Sequence, residues 1–214
     1  MMLRDIAKKV LVLSPHTDDG EFGCGGSIAR FVEEGAEVYY VAFSTAEESV
    51  AAPWPKDILK TEVRIATERL GIPRNNLIIF NFKVRELGYR RQEILEELVK
   101  IKKVISPDLV FLPSLRDLHQ DHGTVAEEGV RAFKDTTLLG YEIPWNALSF
   151  QAEAFIILSE KNMDAKVTAL AAYKSQAGKS YANEEFIRSL AGTRGVQIGG
   201  RYAEVFEVVR WVLR

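Results

Sequence analysis

The chain has 214 residues, of which 47% are hydrophobic and 27% are charged, and this composition predicts one globular domain over 1–214. The net charge of −2 gives no sign of the broad basic surface that binds nucleic acid or an anionic membrane, so neither is expected as a partner. No apolar run approaches the roughly 20 residues that cross a bilayer, so no membrane span is expected. The single cysteine, Cys24, excludes an intrachain disulfide and favours a cytoplasmic location. These features do not determine the oligomeric state, so both a monomer and a homo-oligomer stay open.

Short apolar runs alternate with amphipathic stretches along the first part of the chain. The runs predict strands at 10–14, 38–44, 77–80, 109–112 and 138–142. The amphipathic stretches predict helices at 22–34, 57–70, 92–105 and about 123–133. Strict alternation of this kind is typical of parallel strands joined by crossover helices. The predicted fold class is therefore α/β, a Rossmann-like three-layer sandwich with a mostly parallel sheet.

Beyond residue 144 the pattern is less regular. Strands are predicted at 155–158 and 203–213, and helices at 164–173 and 184–190. We expect these elements to cap or extend the sheet, which divides the domain into a core-sheet region of about 8–145 and a C-terminal extension of about 146–214. Two segments without periodicity, 46–56 and 173–184, are expected to border a pocket.

All three histidines lie in two short acidic clusters. The first reads Pro-His-Thr-Asp-Asp-Gly-Glu at 15–21, and the second reads His-Gln-Asp-His at 119–122. Histidine is the commonest metal-binding side chain, and carboxylates often bind beside it. An isolated histidine is more often a turn or helix-cap residue, but three histidines interleaved with acids predict a divalent-metal site.

The predicted topology brings the two clusters together. The first cluster follows the first predicted strand, and the second follows the fourth. If the strands are ordered 3-2-1-4-5, the first and fourth strands are neighbours and flank the switch point where ligands bind in open α/β sheets. Under this assumed order, both clusters lie in one crevice at the carboxyl ends of the strands.

The residue types in this crevice suit a catalytic metal centre, which needs three protein ligands and one open position. His16, Asp19 and His122 supply such a set, although spacing alone leaves His119 open as the alternative to His122. A bound metal lowers the pKa of a coordinated water, and Asp18 could accept its proton. The remaining histidine could stabilise the oxyanion that forms when the water attacks a carbonyl.

The segment 15–26, Pro-His-Thr-Asp-Asp-Gly-Glu-Phe-Gly-Cys-Gly-Gly, resembles the signature of the LmbE/PIG-L family of zinc-dependent sugar de-N-acetylases. The second cluster is similar to the family's His-x-Asp-His motif, and weaker similarities at 62–71, 173–176 and 202–204 extend the resemblance over nearly the whole chain. The resemblance implies Zn²⁺, or another divalent metal, bound by His16, Asp19 and His122. It also implies Asp18 as general base and His119 as the residue that stabilises the transition state.

The reaction implied by this resemblance is hydrolytic removal of an acetyl group from a small N-acetylated amino sugar or sugar conjugate. One alternative is a non-catalytic Rossmann-type module that binds a nucleotide or a metal. Asp18 argues against it, because a binding module has no need of a free carboxylate beside the metal. A second alternative, hydrolysis of another small amide, stays open because the motifs specify the reaction better than the acyl acceptor.

Substrate binding is harder to predict, because the chain departs from the family pattern. Thr17 and Gln120 replace prolines that are common in the two motifs, and residues 59–60 replace a common arginine. We therefore predict substrate contacts elsewhere, from Arg85, Arg90, Arg91, Trp145 and Arg194. The alternatives are a solvated helix start for the first three arginines, core packing for Trp145 and a flexible turn around Arg194.

Overall fold

Seven strands form one sheet in residues 2–213, the part of the chain that the computed structural model describes. Residues 1 and 214, the limits of the predicted domain, lie outside it. The strands are β1 Lys9–Ser14, β2 Glu37–Ala42, β3 Leu77–Ile79, β4 Leu109–Pro113, β5 Thr137–Tyr141, β6 Ala154–Leu158 and β7 Tyr202–Arg210. Their order is β3-β2-β1-β4-β5-β7-β6, with β1 to β5 parallel and β7 antiparallel to both neighbours. The predicted order 3-2-1-4-5 and the α/β fold are confirmed.

Helices cover both faces of the sheet. They are α1 Asp19–Glu33, α2 Ile58–Arg69, α3 Arg91–Ile105, α4 Gln120–Ala132, α5 Glu160–Leu170 and α6 Glu184–Val196. Alternation along β1 places Val10 and Val12 in the apolar core beneath α1 and α2, and Leu11 and Leu13 in the core beneath α3 and α4. The result is a helix–sheet–helix sandwich. None of the helices within residues 2–213 is long and apolar enough to span a membrane.

Helix boundaries differ from the sequence-based prediction at three starts and at the end of α6, which was predicted at 184–190 and continues to Val196. Helix α1 begins at Asp19 instead of 22, and α4 begins at Gln120 instead of 123. Their first turns carry the polar residues of the two clusters, so apolar periodicity does not reveal them. Helix α5 begins at Glu160 because the Ser159 side chain caps it by accepting a hydrogen bond from the Asn162 backbone.

Glycines let the start of α1 approach the sheet closely. A Cβ atom on Gly23 would lie 2.2 Å from the ring of Tyr141 on β5, and one on Gly20 would lie 2.6 Å from the hydroxyl of Tyr40 on β2. Both distances are below any real van der Waals contact, so only glycine fits. This close approach holds the first turn of α1 against the carboxyl ends of the strands.

Candidate metal centre and substrate cavity

The two acidic clusters meet at the carboxyl ends of β1 and β4. His16 lies in the loop between β1 and α1, and His119 to His122 begin α4 directly after the loop that follows β4. The ring centroids of His16 and His119 are 4.9 Å apart, and those of His16 and His122 are 5.2 Å apart. The structure therefore brings all three histidines into one site, as the topology argument predicted.

Three side-chain atoms converge within this site. His16 Nδ1 lies 3.1 Å from Asp19 Oδ2, His122 Nε2 lies 3.2 Å from the same oxygen, and the two nitrogens are 3.3 Å apart. Ligand atoms held 2.0–2.1 Å from a tetrahedral zinc ion are separated by about 3.3 Å. The donor set therefore fits a zinc ion in both chemistry and spacing.

The other ring nitrogen of each of these histidines contacts a buried carboxylate. His16 Nε2 lies 3.0 Å from Asp121 Oδ2, and His122 Nδ1 lies 2.7 Å from Asp117 Oδ2. Metal-binding histidines commonly donate their second N–H to such a carboxylate, which fixes the ring and the tautomer. When each ring is neutral and carries its proton on the nitrogen that faces the carboxylate, His16 Nδ1 and His122 Nε2 direct lone pairs toward Asp19. Acceptors that lie so close together require a cation between them.

The pKa values describe how the metal-free site meets this need. Burial lowers the pKa of His16, but Asp19 and Asp121 outweigh it and raise this pKa to about 9. Burial likewise lowers the pKa of His122, but Asp19 and Asp117 raise it to about 10. Burial raises the pKa of Asp19, but the two histidines hold it well below its usual range. Without a metal, protons supply the positive charge, and metal binding would displace them.

His119 is also close enough to be a candidate ligand, because one ligand atom from each histidine lies within 4.8 Å of the others. Its Nδ1 atom accepts a hydrogen bond from the Asp121 backbone N–H at 3.2 Å, so His119 caps α4. Burial, followed by the charges of His122 and His16, lowers the pKa of this ring. A neutral ring with an accepting Nδ1 carries its proton on Nε2, so His119 is a hydrogen-bond donor at its other end.

Asp18 is the neighbouring carboxylate that the converging set leaves free. Its side chain lines the same cavity and does not cap α1. Burial raises the pKa of Asp18, and the adjacent Asp19 raises it further. A carboxylate with a raised pKa accepts a proton more readily near neutral pH, as a general base must.

A buried network beneath the β1–α1 loop fixes its backbone, and sequence reasoning did not predict its role. The hydroxyls of Tyr40 and Tyr173 lie 3.0 and 2.6 Å from the carbonyl oxygen of Thr17. Both also contact the carboxyl of Glu21, and burial raises the pKa of that group to about 8. Tyr173 falls in a segment that resembles the family pattern, whereas nothing in the sequence marks Tyr40 beyond its place on a strand.

A cavity of about 320 Å³ opens over the converging side chains of His16, Asp19 and His122. Beside the cluster residues, its lining includes Ser49, Arg85, Trp145, Gln176, Lys179 and Tyr181. The two segments that lacked periodicity, 46–56 and 173–184, therefore both border this pocket. Of the five predicted substrate-binding residues, Arg85 and Trp145 line the cavity.

The other three predicted arginines do not line the cavity, and each is paired with a carboxylate. Arg90 contacts Glu93 at 2.8 Å on the exposed start of α3. Arg91 contacts the buried Glu128 of α4 at 2.6 Å. Arg194 lies within α6 instead of in a turn, and its Nε atom lies 3.1 Å from Glu142. Their predicted contact with substrate stays a prediction.

Comparison with known proteins places the chain in a family. The profile of the family described as PIG-L: GlcNAc-PI de-N-acetylase matches residues 11–133, a range that holds both acidic clusters. The chain belongs to this family, as the motifs in the sequence indicated.

Individual relatives agree with this assignment. The chain is 29% identical over 174 residues to the uncharacterized deacetylase YaiS of Escherichia coli, covering 78% of this chain and 91% of that protein. It is 26% identical over 220 residues to the diacetylchitobiose deacetylase of Thermococcus kodakarensis, covering 92% and 81%. The structure also matches that of GalB, a 4-carboxy-2-hydroxymuconate hydratase from Pseudomonas putida, with a TM-score of 0.76, 21% identity and coverage of 97% and 98%. The fold therefore supports more than one reaction, and the site must identify this one.

Proposed function

We propose that the protein is a metal-dependent deacetylase that hydrolyses the N-acetyl group of a small amino sugar or sugar conjugate. The observation that carries the proposal is the position of Asp18, a free carboxylate beside the converging donors of His16, Asp19 and His122. A site that only bound a metal or a nucleotide would have no use for this fourth group. The two relatives named as deacetylases support the same reaction class.

His16, Asp19 and His122 are proposed to hold the metal. Two nitrogen donors and one carboxylate oxygen suit zinc, and this is the ion we propose. When bound, such an ion polarises a carbonyl group and lowers the pKa of a coordinated water. Asp121 and Asp117 keep the two ligand rings in place by accepting their outer N–H groups.

Asp18 and His119 have different roles in the proposed reaction. Asp18 accepts a proton from the attacking water and can pass it to the amine nitrogen when the amide C–N bond breaks. The Nε2–H of His119 donates a hydrogen bond to the oxyanion that forms at the acetyl carbonyl. The products are acetate and a free amine, and no redox cofactor is needed. The buried, unpaired Cys24 is compatible with the cytoplasmic location that we propose.

The direct test is a screen for acetate release from N-acetylglucosamine, N,N'-diacetylchitobiose and nucleotide-linked N-acetyl sugars. The proposal expects release from at least one sugar, loss of release after chelation and recovery when zinc is restored. A matched His16→Ala variant should stay inactive after zinc is added. Acetate release that survives complete metal removal would refute the mechanism, and no release from any N-acetyl sugar would refute the activity.

A further inference from the structure

We propose that the substrate of this site is an N-acetylated sugar that carries an anionic group, a phosphate or a carboxylate, bound by Lys179 and Arg85 at the rim of the metal cavity. This inference rests on the proposed deacetylase function and narrows its substrate class. It assigns a role to Lys179, which the sequence analysis did not single out. It also separates Arg85 from the other predicted arginines.

Lys179 is held at the cavity by a column of aromatic rings. Its Nζ atom lies 5.5 Å from the centroid of the Tyr181 ring. Tyr181 in turn stacks on Trp145, with centroids 3.8 Å apart and planes 11° apart, and the edge of Phe22 on α1 packs against Trp145 at 5.2 Å. The column orients the ammonium group at the cavity. Burial lowers the pKa of Lys179, but the charge of Asp18 and the contact with Tyr181 outweigh it, so the group stays charged.

Arg85 is held at the cavity through its backbone. Its φ angle is +69°, a left-handed conformation that non-glycine residues seldom adopt. The carboxylate of Asp121 accepts the Arg85 backbone N–H at 2.6 Å and also contacts the ligand histidine His16. Within the described residues, the hydrogen bond of the guanidinium goes to the neutral hydroxyl of Ser49, at 3.2 Å. The fold thus fixes the segment beside the metal cluster and leaves the charged end accessible.

The pairing of charges distinguishes these two cations from their neighbours. Among residues 2–213, no ion pair within 4.0 Å involves Lys179 or Arg85, whereas Arg90, Arg91 and Arg194 each contact a carboxylate. An unpaired cation that lines a cavity is available to a ligand. A guanidinium can bind a phosphate or carboxylate through two hydrogen bonds, and an ammonium adds a point charge.

The positive charge available to a ligand lies at the rim of the cavity. Four carboxylates lie close to the position of the divalent ion that the proposed function requires and offset its charge: those of Asp18, Asp19, Asp117 and Asp121. In the described part of the chain, Lys179 and Arg85 are the lysine and arginine side chains of the cavity lining. A rim with one sign of charge attracts ligands of the opposite sign and raises their association rate.

The test compares three matched substrates that differ only at the anomeric position. The methyl glycoside of N-acetylglucosamine is neutral. N-acetylglucosamine 1-phosphate carries a phosphate, and the glycolic acid glycoside of N-acetylglucosamine carries a carboxylate. We expect kcat/KM for at least one anionic substrate to exceed that for the methyl glycoside by roughly tenfold or more, mainly through a lower KM. The preference should weaken at high salt because mobile ions screen exposed charges.

Substitutions test whether Lys179 and Arg85 cause the preference for an anionic substrate. Lys179→Met and Arg85→Gln should each lower kcat/KM for the preferred anionic substrate by roughly tenfold more than they lower it for the methyl glycoside. Lys179→Arg should recover most of the loss, because it restores the positive charge. Arg74→Gln changes an exposed arginine outside the cavity lining, so it is the control and should behave like wild type with all three substrates. Circular dichroism confirms that each variant is folded.

The outcomes separate this inference from the function on which it rests. Equal kcat/KM values for the three substrates overturn the inference and leave the deacetylase proposal standing. The inference is also overturned if both variants lower kcat/KM equally for the neutral and the anionic substrates, or if only other neutral sugars release acetate. If no N-acetyl sugar releases acetate at all, both proposals fail. Calorimetric titration of the zinc-loaded Asp18→Asn protein gives an independent measurement, since the 1-phosphate should bind more tightly than the methyl glycoside.

Discussion

The Oδ2 atom of Asp121 lies 3.0 Å from His16 Nε2 and also accepts the backbone N–H of Arg85 at 2.6 Å. One fully buried carboxylate therefore connects a proposed metal ligand with the segment that carries a cation at the cavity rim. Burial raises the pKa of Asp121, but the hydrogen bonds from His16 and Arg85 outweigh it and lower this pKa, so the carboxylate stays ionised. It acts by positioning other groups.

Removal of this carboxylate should weaken metal binding. Asp121→Ala is expected to lower zinc affinity roughly 10- to 100-fold, because the His16 ring loses the partner that fixes its orientation. Competition against a chelating dye measures the affinity. Asp164→Ala, which removes an exposed partner of Arg188, is the control and should leave zinc affinity unchanged. Equal zinc affinity in Asp121→Ala and wild type would contradict the positioning role.

The assignment of His122 instead of His119 as the third ligand gives a second prediction. His122→Ala should lose bound zinc, because it removes a donor 3.2 Å from Asp19 Oδ2. His119→Ala should keep about one zinc ion per chain and lose activity, because it removes only the proposed donor to the oxyanion. Elemental analysis of the purified variants measures the metal. Zinc loss in His119→Ala with retention in His122→Ala would reverse the two roles.

Much of this architecture could be predicted from local pattern. The apolar runs at β1 and β4 are readable because buried parallel strands are nearly continuous in hydrophobic residues. The two histidine clusters follow these strands, so the strand order was enough to bring them together. The first turns of α1 and α4 were missed because their residues serve the site and are polar.

The substrate rim could not be predicted in the same way. Arg85, Arg90 and Arg91 look alike in sequence, and only the fold shows that Glu93 and Glu128 pair with the last two. Lys179 lies in a polar segment without periodicity, and its position depends on tertiary stacking. The sequence could indicate that this segment borders a pocket, but not which of its side chains faces the cavity.

The close packing of α1 on the sheet predicts opposite effects for two glycine substitutions. Gly23→Ala should destabilise the protein by about 1–3 kcal/mol, because its Cβ would overlap the Tyr141 ring. Gly192→Ala should instead be neutral or stabilise by about 0.5–1 kcal/mol, because it lies within α6 with no atom within 4 Å of the added Cβ. Urea denaturation of the two variants measures both. A neutral Gly23→Ala would show that α1 can move away from β5.

The metal-free protein should lose stability as the pH rises from about 6.5 to 10. The pKa values of His16 and His122 are raised to about 9 and about 10 in the folded chain, so the folded state holds protons there that the unfolded state has released. Their contribution is fully present below pH 6.5 and disappears as the pH passes through the folded values. Thermal denaturation with and without chelator tests this prediction.

Bound zinc should reduce this loss, because the metal replaces the two protons as the positive charge in the site. A metal-free His16→Gln variant should also show a weaker dependence on pH than the metal-free wild type. A melting temperature of the metal-free protein that stays constant or increases over this range would contradict the charge balance described for the site.

The zinc content and acetate release of Asp18→Asn, measured beside those of Asp19→Ala, separate the general base from the metal ligand. We predict that Asp18→Asn keeps its zinc ion and loses acetate release by roughly 100-fold or more, because it lacks only the general base. Asp19→Ala should lose the zinc ion itself, because it removes a ligand. If Asp18→Asn retains both zinc and full activity, this free carboxylate is not the general base and the proposed hydrolytic mechanism is wrong.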